Sequence, residues 1–166
     1  MDTTEILIKI RKIVRSINLE SKKIQKEYGV SIPQVLCLNY LYRSNNYQST
    51  QGKIRRFLNL NSSTISGIIN RLEKKGLLAK LPKQGDKRVV NLVLTSAGAS
   101  LLQKIPELLH EQLSQKLEKL SQPQFDEIER GLDALVNLLD LQGVEASPLL
   151  TIDDTIDDSM DEKDSA

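Results

Sequence analysis

The feature that most constrains the fold is a succession of three signals between Thr50 and Leu94. Thr50 can cap a short helix, and Asn61 can cap a second one that runs to Lys75 before Gly76. The next segment, KLPKQGDKRVVNLVL, holds two short apolar runs joined by a polar loop that contains Gly and Asp. Two short helices followed directly by a hairpin predict a winged helix-turn-helix.

The second of these helices has two contrasting faces. At 100° per residue its apolar side chains fall on one side, which we expect to be buried. They are Ile65, Ile68, Ile69 and Leu72. The opposite side carries small, polar and basic groups that can approach a DNA duplex, and the amides of its first turn can attract phosphate. An ordinary solvated helix face fits the same residues equally well. The candidate DNA-contacting residues are Ser62, Ser63, Thr64, Ser66, Asn70, Arg71 and Lys74.

Before this segment, the sequence indicates two further helices. The first has apolar residues at three- and four-residue spacing, broken once by Ser21, ends at Gly29, and carries lysines on its other face. Its apolar residues are Ile6, Ile10, Ile13, Ile17, Ile24 and Tyr28. A capping box, SIPQ from Ser31 to Gln34, opens the second helix, and Cys37 lies within the apolar run of that helix. We expect Cys37 to be a small core residue.

After the hairpin, Thr95 can cap a helix that continues to Leu120, with Pro106 either kinking it or confining its start. A second capping box, SQPQ at residues 121–124, opens a last amphipathic helix. The helical pattern fails beyond Gly143. The expected fold class is therefore mostly α with a small β-hairpin wing, in which a winged helix-turn-helix core is flanked by further helices.

The charge distribution points to a polyanionic partner. Residues 1–100 hold 18 Lys and Arg against 6 Asp and Glu, whereas residues 101–166 hold 5 against 16. The two parts therefore carry opposite net charges, although the whole chain has a formal charge of only +1. A basic region of this kind favours nucleic acid or an anionic membrane surface as its partner. The segment after residue 147 is strongly acidic and is expected to be disordered.

Several classes of protein are disfavoured. One cysteine and one histidine provide neither a disulfide nor a zinc-ligand cluster, so no metal or cofactor is expected. No nucleophile, base and orienting group can be assembled, and His110 with its neighbouring glutamates is more typical of a surface, so we expect no catalytic residue and no enzyme activity. The absence of a long apolar run and of a secretory signal favours a cytoplasmic protein without a membrane segment.

The segment LNLNSSTISGIINRLEKKGLLAKLPKQGDKRVVNLVLTSAG, residues 58–98, resembles the DNA-binding core of MarR-type transcriptional regulators. The matching motifs are S-T-I-S near the start of the helix, R-L-E-K-K-G-L at its end, D-K-R in the loop, and L-T-x-x-G opening the next helix. The flanking helices match in order and length, so the resemblance extends over about residues 4–141.

This resemblance implies a homodimer that binds a pseudo-palindromic operator in double-stranded DNA, with the first and last helices interlocked between subunits. It implies a repressor whose DNA affinity is lowered by a small-molecule effector or a solution condition. In the wing, Arg88 is similar to the arginine that enters the minor groove, and Asp86 to the acid that holds it. Lys83 and Lys87 would contact phosphates. A solvated hairpin with a surface pair between Asp86 and Arg88 is the alternative interpretation.

Two residues depart from the family pattern. Arg55 stands where a small residue usually packs behind the recognition helix, and Gly67 stands where many relatives have a polar or basic side chain. The second departure would shift base readout to Asn70, Arg71 and the wing. More narrowly, IRKIVRSINLESKKI and EASPLL resemble a subgroup linked to genes for ectoine and other compatible solutes, which implies a response to osmotic conditions.

The expected organisation is a dimerisation helix at residues 1–30, a winged helix-turn-helix domain at 31–98, dimerisation helices at 99–143 and an acidic tail at 144–166. The competing function is a non-catalytic interaction module, in which the basic amphipathic first helix binds an anionic surface or partner.

Overall fold

The computed structural model describes residues 1–82, 85 and 89–144. Two groups of sequence-based expectations lie outside these residues. One is the set of wing contacts assigned to Lys83, Asp86, Lys87 and Arg88, and the other is the acidic tail from residue 145 onwards.

The described residues form helices around a small antiparallel sheet, so the expected fold class is confirmed. The helices are α1 (Thr4–Tyr28), α2 (Ile32–Arg43), α3 (Gln51–Phe57), α4 (Ser62–Lys74), α5 (Ser96–Lys104), α6 (Leu109–Leu117) and α7 (Gln122–Leu138). The strands are β1 (Gln48–Thr50), β2 (Leu78–Lys80) and β3 (Asn91–Leu94), in the order β1-β3-β2. In the part of the chain described, no helix combines the length and apolar character needed to cross a membrane.

The helix boundaries follow the capping signals in the sequence. Gly29 ends α1 in the left-handed region at φ 70°. At the start of α2, Ser31 and Gln34 form the predicted reciprocal capping box, with Ser31 N donating to Gln34 Oε1 at 3.0 Å. The Thr50 hydroxyl accepts a hydrogen bond from Lys53 N at 3.2 Å and so caps α3. These boundaries are local, because each cap satisfies backbone groups within one helical turn.

Strand β1 is a feature that the sequence analysis did not predict. Its residues are polar, and it pairs with β3 through the register Gln48↔Val93 and Thr50↔Asn91. Strands β2 and β3 form the predicted hairpin, with Leu78 opposite Leu94 and Lys80 opposite Leu92. The sheet therefore joins the segment before α3 to the base of the wing.

A continuous core lies between α2, α3, α4 and the sheet. Its fully buried large side chains include Leu38, Leu41, Ile54, Ile69, Leu72 and Leu92. Cys37 is buried in the same cluster, and burial raises the pKa of its thiol to about 12. Its burial confirms that Cys37 is a small core residue, and the raised pKa disfavours the thiolate, which is the reactive form.

The L-T-x-x-G motif marks the junction between the sheet and α5. The Thr95 hydroxyl accepts a hydrogen bond from Gly98 N at 3.1 Å and donates one to Gly76 O at 2.6 Å. A Cβ at Gly98 would lie 2.1 Å from Leu77 O, so the close approach of α5 to the backbone requires glycine here. The motif therefore fixes how α5 leaves the core.

The helix expected after Thr95 is interrupted more fully than a proline kink requires. It is divided into α5 and α6 by the non-helical residues 105–108 around Pro106. Leu108 is buried at this break, and Glu111 Oε2 accepts a hydrogen bond from Leu108 N at 2.9 Å. Leu109 N donates to Glu20 Oε1 at 2.7 Å. The start of α6 is thus held against the middle of α1.

Helices α1, α6 and α7 expose most of their apolar side chains. Of α1, Ile24 is the buried residue, and α6 and α7 contain none. Large apolar residues that are exposed include Ile6, Leu7, Ile13, Val14, Ile17, Leu113, Ile128 and Leu132. We refer to α1, α6 and α7 as the arms, and to α2, α3, α4 and the sheet as the core.

Candidate nucleic-acid interface

Helix α4 separates its residues onto two faces as the sequence predicts. Ile65, Ile68, Ile69 and Leu72 are buried in the core. On the other side the polar and basic candidates Ser62, Ser63, Thr64, Asn70, Arg71 and Lys74 are exposed, and Ser66 is half-buried. The buried face holds the helix in place, so the exposed face is presented on a rigid support.

The first turn of α4 is capped by a side chain from the preceding loop. Asn61 Oδ1 accepts hydrogen bonds from Thr64 N at 2.8 Å and from the Ser63 hydroxyl at 2.8 Å. This cap orients the first turn, where the amides of Ser62 and Ser63 precede the first intrahelical bonds. Such a helix N-terminus favours a phosphate group.

Gly67 is half-buried and lies on the same side of α4 as Asn70 and Arg71. A Cβ at Gly67 would lie 3.7 Å from Nη1 of Arg71, so the guanidinium folds back over this position. The absence of a side chain at Gly67 therefore gives Arg71 room beside the helix. The expected shift of base readout to Asn70, Arg71 and the wing stays a prediction.

Ser66 is held from outside the helix. Gln51 Nε2 donates to the Ser66 hydroxyl oxygen at 2.9 Å, and Gln51 N donates to Val90 O at 3.0 Å. Gln51 thus connects the start of α3, the candidate DNA-contacting face of α4, and Val90 at the base of the wing. The sequence analysis did not select Gln51, because its contacts join segments far apart in sequence.

Asn70 is held from the other side, by β2. Lys80 Nζ donates to Asn70 Oδ1 at 2.9 Å and forms an ion pair with Glu73 Oε2 at 2.9 Å. The same lysine therefore bridges two residues of α4 that lie one turn apart. Neither Glu73 nor Lys80 was selected from the sequence. The available signal was weak, consisting of an acidic residue in the helix and a basic residue on the next strand.

The base of the wing is anchored on both sides. Leu81 N donates to Asn91 O at 2.9 Å, which extends the pairing of β2 with β3 by one step. On the return side, Val90 is held by Gln51 as described above. The described residues on the two sides of the wing loop are therefore bonded to β3 at Leu81 and to α3 at Val90.

The departure at Arg55 does not disturb the helix-turn-helix. Arg55 is half-buried, and its carbonyl accepts a hydrogen bond from Leu60 N at 3.1 Å in the turn between α3 and α4. Ile54 and Leu58 on either side of it are buried in the core. Within the described residues, no group of three or more His, Cys, Asp or Glu side chains is placed to bind a metal ion.

A family model described as the MarR family matches residues 30–90. The chain is 25% identical over 123 residues to the uncharacterized HTH-type transcriptional regulator YsmB of Bacillus subtilis (strain 168), covering 74% of this chain and 83% of YsmB. It is 33% identical over 86 residues to the HTH-type transcriptional regulator PecS of Dickeya dadantii (strain 3937), covering 51% of this chain and 52% of PecS. These relatives are transcriptional regulators, which agrees with the expectation that the chain is not an enzyme.

Solved structures of similar fold include two complexes with DNA. The S. aureus MepR–DNA complex has a TM-score of 0.61 at 20% identity and covers 83% of this chain and 98% of MepR. Reduced AbfR bound to DNA has a TM-score of 0.54 at 23% identity and covers 83% of this chain and 94% of AbfR. At these identities the likeness establishes the fold, and the contacts of each complex belong to that complex.

Proposed function

We propose that the chain is a homodimeric, sequence-specific DNA-binding repressor of transcription of the MarR type, acting in the cytoplasm; the match of residues 30–90 to the MarR family model supports this proposal. Its DNA affinity is lowered by a small-molecule effector or by osmotic or ionic conditions. The resemblance to the subgroup linked to compatible-solute genes supports the osmotic alternative.

The observation that carries this proposal is the exposed face of α4. Its polar and basic side chains stand on a helix whose other face is completely buried, and the wing base is bonded to that same helix through Gln51 and Lys80. An α-helix fits the major groove, where hydroxyl, amide and guanidinium groups can bond base edges and phosphates. The alternative, an ordinary solvated helix face, gives no reason for the hydrogen bonds that join α4 to the hairpin through Gln51 and Lys80.

In this proposal, the first turn of α4 binds a backbone phosphate, and Asn70 and Arg71 reach base edges. Lys74 adds a phosphate contact at the end of the helix. The wing supplies Arg88 to the minor groove, where a narrow groove concentrates negative potential, and Asp86 orients it. Lys83 and Lys87 bind the adjoining phosphates.

The arms supply the dimer contact. Helix α7 has an apolar face and no buried residue, and α1 exposes several isoleucines. Exposed apolar faces of this extent mark an interaction surface. A second copy of the chain provides a matching surface through two-fold symmetry, and it places two α4 helices in successive major grooves.

The effector site lies where the arms meet the core. A cavity of about 70 Å³ at the α5–α6 break is lined by residues from α2 and from both sides of the break, including Asn39, Pro106 and Glu111. This cavity holds only a small group, so a larger effector opens the break between α5 and α6. Such opening changes the separation of the two recognition helices, which weakens the fit to a fixed operator spacing.

The test is selection of duplexes from a randomised library by the purified protein, repeated across a salt series. A two-fold symmetric motif with half-sites about one helical turn apart supports the proposal, and the affinity should fall steeply with salt because phosphate contacts dominate it. Arg88→Ala should weaken binding. Arg130→Ala, which removes an equal charge from α7, should leave binding unchanged. Binding without an enriched motif would contradict sequence-specific regulation.

A second candidate function rests on α1, whose exposed surface combines isoleucines with lysines and arginines. Such a helix can bind an anionic membrane surface. Sedimentation with vesicles containing phosphatidylserine separates the two functions. A dimerisation helix leaves the protein in the supernatant, and a membrane-binding helix carries it into the pellet.

A further inference from the structure

Asn70 is the amide side chain on the exposed face of α4, and its hydrogen-bonding capacity is partly used. Lys80 Nζ lies 2.9 Å from Asn70 Oδ1. Lysine has only donors, so the amide must turn its oxygen towards the ammonium group. This contact orients the amide so that its NH₂ group, which has two donors, is turned away from Lys80.

Glu73 keeps the lysine in this position. Its carboxylate lies 2.9 Å from Lys80 Nζ, and both side chains are partly exposed, at 41% for Glu73 and 37% for Lys80. A pair this exposed adds little stability, so the arrangement has no obvious structural purpose. It does neutralise Glu73, which would otherwise repel phosphate. It also gives Lys80 two partners on one helix.

We propose that Lys80 is a specificity-determining positioning residue, which orients Asn70 to present donors and thereby selects guanine over adenine at one operator position. The inference rests on the proposed function, because it assumes that α4 enters a major groove. Guanine offers two acceptors there, N7 and O6, whereas adenine offers the N7 acceptor and the N6 donor. The usual bidentate contact of asparagine with adenine needs the amide oxygen to face the base, and Lys80 turns that oxygen aside.

Four variants isolate this effect from a general loss of charge. Lys80→Met removes the bond to Asn70, and Lys80→Arg preserves a cationic donor. Lys74→Met removes an equal charge from the same surface and leaves the Lys80 to Asn70 bond in place. Asn70→Ala identifies the operator position that depends on Asn70, because selection at that position alone should be relaxed.

The experiment is library selection with the wild type and each variant, followed by titration of the best duplex and its single-base changes. At the position that Asn70→Ala relaxes, the wild type should prefer guanine over adenine by roughly five- to tenfold, the value of one net hydrogen bond. Lys80→Met should erase or invert this preference, whereas Lys80→Arg should keep it. Lys74→Met should weaken binding to both bases equally.

Modified bases test the acceptors directly. Inosine keeps N7 and O6 in the major groove, so replacing the guanine by inosine should leave the affinity unchanged. The replacement 7-deazaguanine lacks the N7 acceptor and should weaken wild-type binding several-fold, with a smaller effect on Asn70→Ala. If Lys80 has a purely structural role, Lys80→Met should lose as much affinity on 7-deazaguanine as the wild type does; if Lys80 positions Asn70, this loss should be smaller in Lys80→Met.

The outcomes separate the two levels of the proposal. If the wild type enriches no motif, the proposed function fails and the inference fails with it. If the wild type enriches a motif but prefers adenine at the Asn70-dependent position, the inference alone is overturned. It is also overturned if Lys80→Met retains the guanine preference.

Discussion

The core and the arms of this molecule are both built from amphipathic segments, but they bury their apolar residues very differently. In α4, four apolar residues are buried within a helix of 13 residues. In α1, a helix of 25 residues buries Ile24, and α7 buries none of its 17 residues. The core therefore finds its packing partners within one chain, whereas the arms expose the faces that we assign to a second copy.

This difference separates two kinds of information in an amphipathic pattern. Periodic apolar residues indicate that a helix face is to be covered, but they do not identify what covers it. For α4 the covering elements are α2, α3 and the sheet, all close in sequence. For the arms the contact with the same chain is confined mainly to Ile24 and the start of α6, where Glu20 binds Leu109 N. Independent stability of the core and dependence of the arms on dimerisation can therefore be tested separately.

The largest effect is expected from placing charge on the exposed face of α7. The double substitution Ile128→Asp and Leu132→Asp should dissociate the dimer, because two carboxylates cannot be buried without partners. Operator affinity should fall at least about 100-fold, since a monomer binds one half-site without the gain from bivalent binding. Analytical ultracentrifugation and DNA titration measure the two effects.

The matched control is Ala134→Asp with Asn137→Asp, which adds the same charge to the polar side of α7. It should leave the dimer intact. If the Ile128 and Leu132 double variant remains a dimer, the apolar face of α7 is not the subunit contact.

The next largest effect is expected from truncating a core residue, and it is compared with the truncation of an arm residue. Both changes are made in the chain that carries Ile128→Asp and Leu132→Asp. Ile69→Ala should lower the free energy of unfolding by about 2–5 kcal/mol, because Ile69 is fully buried and its truncation leaves a cavity. Ile17→Ala should change it by less than about 0.5 kcal/mol, because Ile17 is 54% exposed. Urea denaturation measures both, and equal losses would show that the arms fold back onto the core.

A smaller effect is expected at Thr95, where the core passes into α5. Thr95→Val removes the hydroxyl that caps α5 and bonds Gly76 O, so the free energy of unfolding should fall by about 1–2 kcal/mol. Ser96→Ala changes the neighbouring exposed hydroxyl and serves as the control. Equal urea midpoints for Thr95→Val and the wild type would show that the Thr95 hydroxyl does not stabilise the junction between the core and α5.

The smallest effect is expected from the buried thiol of Cys37, which should make the free energy of unfolding depend on pH. Burial raises its pKa to about 12, above the unfolded value of about 8.5, so the folded state retains a proton that the unfolded state loses. The thiol therefore stabilises the fold fully below about pH 8.5, and this contribution declines as the pH rises from there towards 12. The slope approaches about 1.4 kcal/mol per pH unit.

Urea denaturation between pH 8 and 9.5 should show this decline in the wild type and a shallower one in Cys37→Ala. Introducing Ile17→Cys into the Cys37→Ala chain places a thiol on the arms and should not restore the decline. Identical pH dependence for the wild type and Cys37→Ala would mean that water reaches the core thiol.

The sequence predicted the parts of this structure that depend on neighbouring residues. Asn61, Thr50 and the box at Ser31 define helix starts, because a side-chain oxygen there bonds an amide three residues away. The buried and exposed faces of α4 were also predictable, because the helical repeat places residues three and four positions apart on one face. Strand β1 was not, because its polar residues become a strand only by pairing with β3.

The candidate DNA-contacting face also has features that the sequence predicts and features that depend on tertiary packing. The sequence by itself determined that α4 has a buried apolar side and a polar side with Ser66, Asn70 and Arg71, because helical geometry fixes the direction of each side chain. Only the tertiary structure decided that Gln51 binds Ser66 and that Lys80 binds Asn70. Those hydrogen bonds depend on where α3 and β2 lie against α4, and that placement is set by packing across the whole core.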